Sequence, residues 1–164
     1  MIAKKIYPHE ELKREILQLK GEGKRIVFTN GCFDILHVGH VYLLREAKKM
    51  GDVLVVAVNS DASIKEIKGE KRPIIPQEER LEMLAALEMV DYVTLFAETT
   101  PQRLIEYLRP DVLVKGGDWA NKEVVGAQEV ATWGGKVVII PLMEGLSTSK
   151  LIERILRLYV RGNL

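Results

Sequence analysis

His37 and His40 stand three residues apart with Gly39 between them, at the end of the run Thr29-Asn30-Gly31-Cys32-Phe33-Asp34-Ile35-Leu36-His37-Val38-Gly39-His40. Imidazoles at that spacing share one face of a helix and can reach one polyphosphate. The first turn of a helix adds backbone N–H groups without intrahelical partners and partial positive charge. A glycine there removes the side chain that would hold a phosphate away. Gly31 would likewise let a nucleotide approach the backbone, and Asp34 would cap the loop or help place a metal. Taken singly, a histidine near a helix start is ordinarily a polar or capping group. The whole pattern, Gly-x-Phe-Asp-x-x-His-x-Gly-His, reads as an anion site only if a strand precedes it and a helix follows.

Both elements are legible. Arg25-Ile26-Val27-Phe28-Thr29 is a β-branched and aromatic run, and Val41 to Lys49 carries apolar residues at helical spacing. Before them, Pro8 to Gly21 reads as an amphipathic helix with Leu12, Ile16, Leu17 and Leu19 on its apolar side. After Gly51-Asp52, the continuous apolar run Val53 to Val58 is what a strand covered on both sheet faces requires. Helices are expected over Pro76–Met89, Pro101–Leu108, Lys122–Thr132 and Ser147–Leu158, and strands over Tyr92–Phe96, Val112–Val114 and Lys136–Ile140. This alternation predicts an α/β fold: a doubly wound, Rossmann-like parallel sheet of about five strands with helices on both faces. The 164 residues fit one domain, an N-terminal helical segment over 1–23 and a core over 24–164.

Ligands of such sheets bind beyond the carboxyl ends of the strands, and polar clusters fall there. They are Asn59-Ser60-Asp61 with a charged loop holding Lys65, Lys68, Lys71 and Arg72, then Lys115-Gly116-Gly117-Asp118, then Ser147-Thr148-Ser149 before the last helix. Each alone has an ordinary use as a turn, a solvated loop or a helix cap. The paired glycines after a buried strand suggest close approach of a ligand, whereas Trp119 and Trp133 read as packing residues.

Composition excludes several classes. A formal net charge of +1 argues against a nucleic-acid or membrane-surface partner. The single cysteine, Cys32, excludes an intrachain disulfide and a Cys-x-x-Cys metal site, and reads as a packed residue beside the site. No apolar stretch follows Met1-Ile2-Ala3-Lys4-Lys5 and none is long enough to span a bilayer, so a cytoplasmic location is expected.

The residue types suit transfer of a nucleotidyl group. A sugar-phosphate oxygen attacking an α-phosphorus is already anionic at neutral pH, so no general base is needed. Catalysis then consists of aligning two repelling anions and neutralising charge on the departing pyrophosphate. Magnesium bridging phosphates keeps most of its waters and would need little from the protein beyond one carboxylate, Asp34 or Asp118.

On Gly31 to His40 the chain resembles the nucleotidyltransferase superfamily with the His-x-Gly-His signature. From about Glu11 to Ile155 it is similar to the adenylyltransferase domains of the bacterial heptose-phosphate kinase/adenylyltransferases. The matching runs are Thr29–His37, Val58–Ser63, Lys68–Pro73, Thr100–Ile105 and Leu113–Asp118. The resemblance implies transfer of AMP from ATP to D-glycero-β-D-manno-heptose 1-phosphate, with Mg²⁺, in a homodimer that relies on other proteins for its heptose 1-phosphate. It also implies roles: His37, His40 and Lys115 catalytic; Asn30, Gly31, Phe33, Asp34, Gly39, Asn59, Asp61, Arg80, Gly116, Asp118, Ser147 and Thr148 on the nucleotide; Lys68 and Arg72 on the second substrate. Two alternatives stand beside this. Glycerol-3-phosphate cytidylyltransferases share the signature but carry an arginine where this chain has Leu142. A nucleotide-sensing domain without turnover would keep the fold but be expected to lose part of the set.

Overall fold

The computed structural model describes residues 4–117 and 123–160. In chain order the elements are α1 (His9–Gly21), β1 (Ile26–Gly31), α2 (Val38–Lys48), β2 (Val53–Asn59), α3 (Asp61–Lys68), α4 (Gln77–Ala85), β3 (Tyr92–Phe96), α5 (Gln102–Leu108), β4 (Val112–Gly116), α6 (Ala127–Thr132), β5 (Lys136–Ile140) and α7 (Thr148–Tyr159). The five strands form one all-parallel sheet in the order β3-β2-β1-β4-β5. This is the doubly wound, Rossmann-like parallel sheet expected, and its strand order reverses between β1 and β4. Ligand crevices open at that reversal, because the crossovers on either side diverge to opposite faces.

Successive side chains of β2 explain why the sheet is a wall between two cores. Leu54, Val56 and Val58 pack with Leu43, Leu44 and Ala47 of α2 and Leu84 of α4. Val53, Val55 and Ala57 face the other way, with Leu12 and Ile16 of α1 and Ile105 and Leu108 of α5. All seven residues of β2 are buried, and side chains of this kind contribute roughly 1.5–3 kcal/mol each on burial. Trp133 packs against the second core and its Nε1 donates to the Pro110 carbonyl at 2.8 Å, in keeping with its reading as a packing residue.

The structure departs from the sequence reading at five elements. The charged loop expected after Ser60 begins with a helix, α3. Ser60 caps it by accepting the Ser63 N–H at 3.1 Å, and buried Ile64 anchors it. Eight residues with lysines outward hide the 3.6-residue period. The helix expected through Met89 ends at Ala85, and the one expected from Lys122 begins at Ala127, after Gly126 at φ 89°. Lys122, Trp119 and Asp118 lie outside the described residues. Finally, β1 and β4 run two residues further than their apolar runs. Asn30 and Gly31 pair in register with Ala57 and Val58, and Lys115 and Gly116 with Ile139 and Ile140. The polar residues of the site therefore sit on strand ends, more rigid than loops.

Candidate active site

The carboxyl ends of β1 and β4 and the first turns of α2 and α7 enclose a cleft of about 590 Å³. His37 is the N-cap of α2, and the two histidines cap the helix reciprocally. His37 Nδ1 accepts the Gly39 N–H at 3.1 Å, and His40 Nδ1 accepts the His37 N–H at 3.3 Å. An imidazole whose Nδ1 accepts must, when neutral, carry its proton on Nε2. The capping network therefore assigns both rings the tautomer that leaves an Nε2–H donor. The rings stack with centroids 3.8 Å apart, and Phe33 meets His40 edge-on at 5.3 Å.

Gly39 makes this possible. A Cβ there would stand 2.9 Å from His37 Cε1 and 3.3 Å from Leu146 Cβ. The missing side chain thus makes room for the imidazole folded back over the helix start. The other glycines serve the same end: a Cβ on Gly31 would crowd the Phe33 ring at 3.1 Å, and one on Gly116 would strike Leu142 Cδ2 at 2.9 Å. The space at these positions is taken by the protein's own side chains, which form the cleft wall.

The loop between β1 and α2 holds Phe33 and Ile35 at φ 49° and 50°, conformations that side-chain-bearing residues seldom adopt. Asp34 fixes it. Its buried carboxylate accepts from Arg72 Nε at 2.7 Å and from the N–H groups of Ile74 and Ile75 at 2.9 Å each, while its carbonyl accepts from Thr148 Oγ1. One side chain thus ties the β1–α2 loop to the segment before α4, and its backbone ties it to α7. Asp34 is thus a loop clamp, as one of its expected roles requires, with three hydrogen bonds on its carboxylate. Among the described residues no cluster of three His, Cys, Asp or Glu could hold a metal.

Arg80 is a correction. It is 1% exposed, and its guanidinium donates to the carbonyls of Ile75, Cys32 and Asn59 and to Asp61 Oδ1, at 2.6 to 2.9 Å. It lies beneath the cleft floor, joining the ends of β1 and β2 to α4, so its guanidinium is spent on the protein; Asp61, partly exposed, gives it one carboxylate oxygen and is not among the residues lining the cleft. The sequence places arginine near the site but cannot show its direction.

The remaining expected residues converge. Asn30, Asn59, Lys68, Arg72, Lys115, Gly116, Ser147 and Thr148 all line the cleft with the two histidines. Ser147 caps α7 by accepting the Lys150 N–H at 3.1 Å. Two helix starts therefore aim at one crevice, with the Lys115 ammonium between the strand ends, donating to Asn30 Oδ1. The sequence model of the cytidylyltransferase-like family matches residues 28–154, which contain every one of these groups. The chain belongs to the cytidylyltransferase-like family.

Similar proteins place it more narrowly within the cytidylyltransferase-like family. Bifunctional protein HldE of Koribacter versatilis is 55% identical over 150 residues, covering 92% of this chain and 31% of that protein. HldE of Geobacter sulfurreducens is 57% identical over 140 residues, 85% and 29% of the two chains. The chain thus spans about three-tenths of the length of these curated relatives. Among solved structures, a lipopolysaccharide core biosynthesis protein from Thermoplasma volcanium is 32% identical, with a TM-score of 0.60 over 73% of this chain and 97% of its own. A pantoate–beta-alanine ligase from Francisella tularensis, 15% identical with a TM-score of 0.62 over 93% and 78%, shares the fold.

Electrostatics in this cytidylyltransferase-like cleft follow from burial. Burial, and secondarily His37, lowers His40 to about 4 against a small opposing pull from Asp34; burial also lowers His37. Both rings are therefore neutral at pH 7. Burial lowers Lys115 to about 8, and raises the Cys32 thiol, which stays protonated and unsuited to nucleophilic attack. Asp34 moves down: burial would raise it, but the Ile74 and Ile75 N–H groups and Arg72 outweigh that. Sequence reasoning missed Thr99, Ile67 and Leu43, which also line the cleft. Thr99 had a usable signal, as a hydroxyl just beyond the end of β3. The apolar pair had none, since wall residues look like core residues in sequence. No described helix is long and apolar enough to cross a membrane.

Proposed function

We propose that the chain transfers AMP from ATP to D-glycero-β-D-manno-heptose 1-phosphate, releasing pyrophosphate. The observation that carries this reading is the meeting, in one cleft, of two helix N-termini, two tautomer-fixed Nε2–H donors and a buried ammonium. Such a set stabilises negative charge and holds no evident general base, which is what attack by a phosphate oxygen on an α-phosphorus calls for. In this reading His37 and His40 donate to the triphosphate where charge grows as pyrophosphate departs. Lys115 neutralises the α-phosphate and the attacking oxygen. The start of α7 with Ser147 and Thr148 cradles the second phosphate group, and Lys68 and Arg72 steer the sugar phosphate. Arg72 is pre-set by its bond to Asp34, which leaves its terminal nitrogens for the substrate. Magnesium enters with the nucleotide as MgATP, because three hydrogen bonds already hold the Asp34 carboxylate in the loop and no metal cage exists among the described residues. The relatives named HldE support the heptose substrate, and Leu142 lining the cleft where cytidylyltransferases carry arginine supports adenine. The working unit is a homodimer.

The experiment is pyrophosphate release with ATP or CTP, each offered heptose 1-phosphate or glycerol 3-phosphate. Turnover confined to ATP with heptose 1-phosphate is the expected result. Turnover with CTP and glycerol 3-phosphate overturns the substrate reading, and nucleotide binding without any release overturns the enzyme reading.

A further inference from the structure

Asn59 ends β2 and is only 4% exposed, yet its carboxamide is half used. Which half follows from its neighbours, because a hydroxyl has a single proton to give. Ser63 Oγ spends that proton on the Ser60 carbonyl at 3.0 Å, so toward Asn59 it can only accept, and Asn59 Nδ2 donates to it at 3.3 Å. The nitrogen therefore faces α3, and Oδ1 faces away from it. Oδ1 takes no hydrogen bond from any described residue, and no described side-chain oxygen or nitrogen sealed from solvent lacks a partner. Oδ1 must then open on the cleft that Asn59 lines. Its backbone is fixed on both sides. The Asn59 carbonyl accepts from Arg80 Nη1 at 2.9 Å, and the Ser60 N–H donates to the Phe96 carbonyl at 2.9 Å. The free oxygen is thus oriented before anything binds.

We propose that Asn59 Oδ1 accepts a hydrogen bond from one hydroxyl of the sugar phosphate and thereby selects a polyol as the second substrate. The cations around the cleft, Lys68, Arg72 and Lys115, donate hydrogen bonds and suit phosphate oxygens. A carboxamide oxygen does the reverse: it repels a phosphate oxygen and accepts from an O–H. Its place favours the sugar over the ribose of the nucleotide. β2 and β4 flank β1, so Asn59 stands on the order of 10 Å across the sheet from Lys115. On its own side lie Ile67 and Lys68 of α3, which starts two residues after Asn59, and Thr99 beyond β3, whose Phe96 pairs with Asn59. Ile67 is half exposed and offers an apolar face to the carbon skeleton of a sugar. The proposal rests on the reading that the cleft joins a nucleotide to a sugar phosphate. It moves Asn59 from the nucleotide, where the family resemblance set it, to the second substrate.

Isothermal titration calorimetry tests it. The full chain, saturated with α,β-methylene-ATP and Mg²⁺, is titrated with D-glycero-β-D-manno-heptose 1-phosphate and with analogues each lacking one hydroxyl. The wild type is expected to bind one analogue about tenfold or more weakly than the parent sugar phosphate. Asn59→Ala is expected to bind the parent about tenfold more weakly and that analogue no worse than the parent, because both changes delete the same hydrogen bond. α,β-Methylene-ATP alone should bind wild type and variant within twofold, which a general loss of structure would not allow. If every analogue binds the wild type as tightly as the parent does, the proposal is overturned, and this arm decides even if Asn59→Ala fails to fold. An analogue penalty undiminished in Asn59→Ala also overturns it. A variant that loses α,β-methylene-ATP and keeps the sugar phosphate overturns it and assigns Oδ1 to the nucleotide. In each of these cases the adenylyl-transfer reading stands. A wild type that binds α,β-methylene-ATP but no heptose 1-phosphate overturns the heptose reading and this inference together.

Discussion

Replacing Lys115 by methionine should destroy activity and stabilise the fold. Burial takes the Lys115 ammonium from an ordinary 10.5 to about 8. At about 1.4 kcal/mol per tenfold change in proton affinity, keeping it charged at neutral pH costs the folded state about 3 kcal/mol. Methionine keeps the unbranched stem without the terminal ammonium, one heavy atom shorter and uncharged, so it removes that cost. It also removes the hydrogen bond to Asn30 Oδ1, worth about 1 kcal/mol. The net gain is about 2 kcal/mol, a rise of roughly 4–8 °C in Tm for a chain of this size. The proton count fixes the pH dependence. Between pH 8 and 10.5 the unfolded chain holds a proton that the folded chain has lost, so wild-type stability attributable to Lys115 rises across that window. The advantage of Lys115→Met is therefore full below pH 8 and gone above 10.5. Turnover should fall at least ~10²-fold in the variant, the loss typical of removing one preorganised charge partner. In the wild type, kcat/KM for the nucleotide should drop about tenfold from pH 7 to pH 9 as the free enzyme loses the ammonium. Thermal unfolding followed by circular dichroism at pH 7 decides the matter. A Tm below that of the wild type refutes the reasoning, because it would mean the charged ammonium is a net structural partner.

Two further outcomes separate structural from chemical roles. Arg80→Leu leaves three carbonyls and Asp61 without their donor in a buried site, and should cost about 3–5 kcal/mol of stability; a variant that unfolds at the wild-type urea concentration would show that the guanidinium is dispensable to the floor. His40→Ala and His37→Ala should each slow turnover by ~10² or more, with urea midpoints lowered only by the lost capping bond, about 1 kcal/mol; near-normal turnover in either would remove that ring from the charge-stabilising set.

The alternation of apolar runs and amphipathic stretches was enough for the sequence to specify five parallel strands and their covering helices. The reason is that periodicity and burial are local records of which faces must leave water. The place of the cleft was legible for a related reason: the strand–loop–helix context of Gly39 and the two histidines is written in local periodicity, and these residues do line the cleft. What a chain cannot record locally is direction. Arg80 and Lys115 are both cations near the ends of strands, yet one is spent on carbonyls under the floor and the other faces the cleft. That difference is set by where each element delivers its cation: α4 puts Arg80 beneath the ends of β1 and β2, and β4 ends with Lys115 beside Asn30. The same holds for Asp34, whose carboxylate is claimed by Ile74 and Ile75 some forty residues away. The sequence by itself determined the fold class and placed the two histidines at a helix start after a strand; only the tertiary structure decided which charged side chains face the cleft, because desolvation and hydrogen-bond partners depend on neighbours distant in the chain.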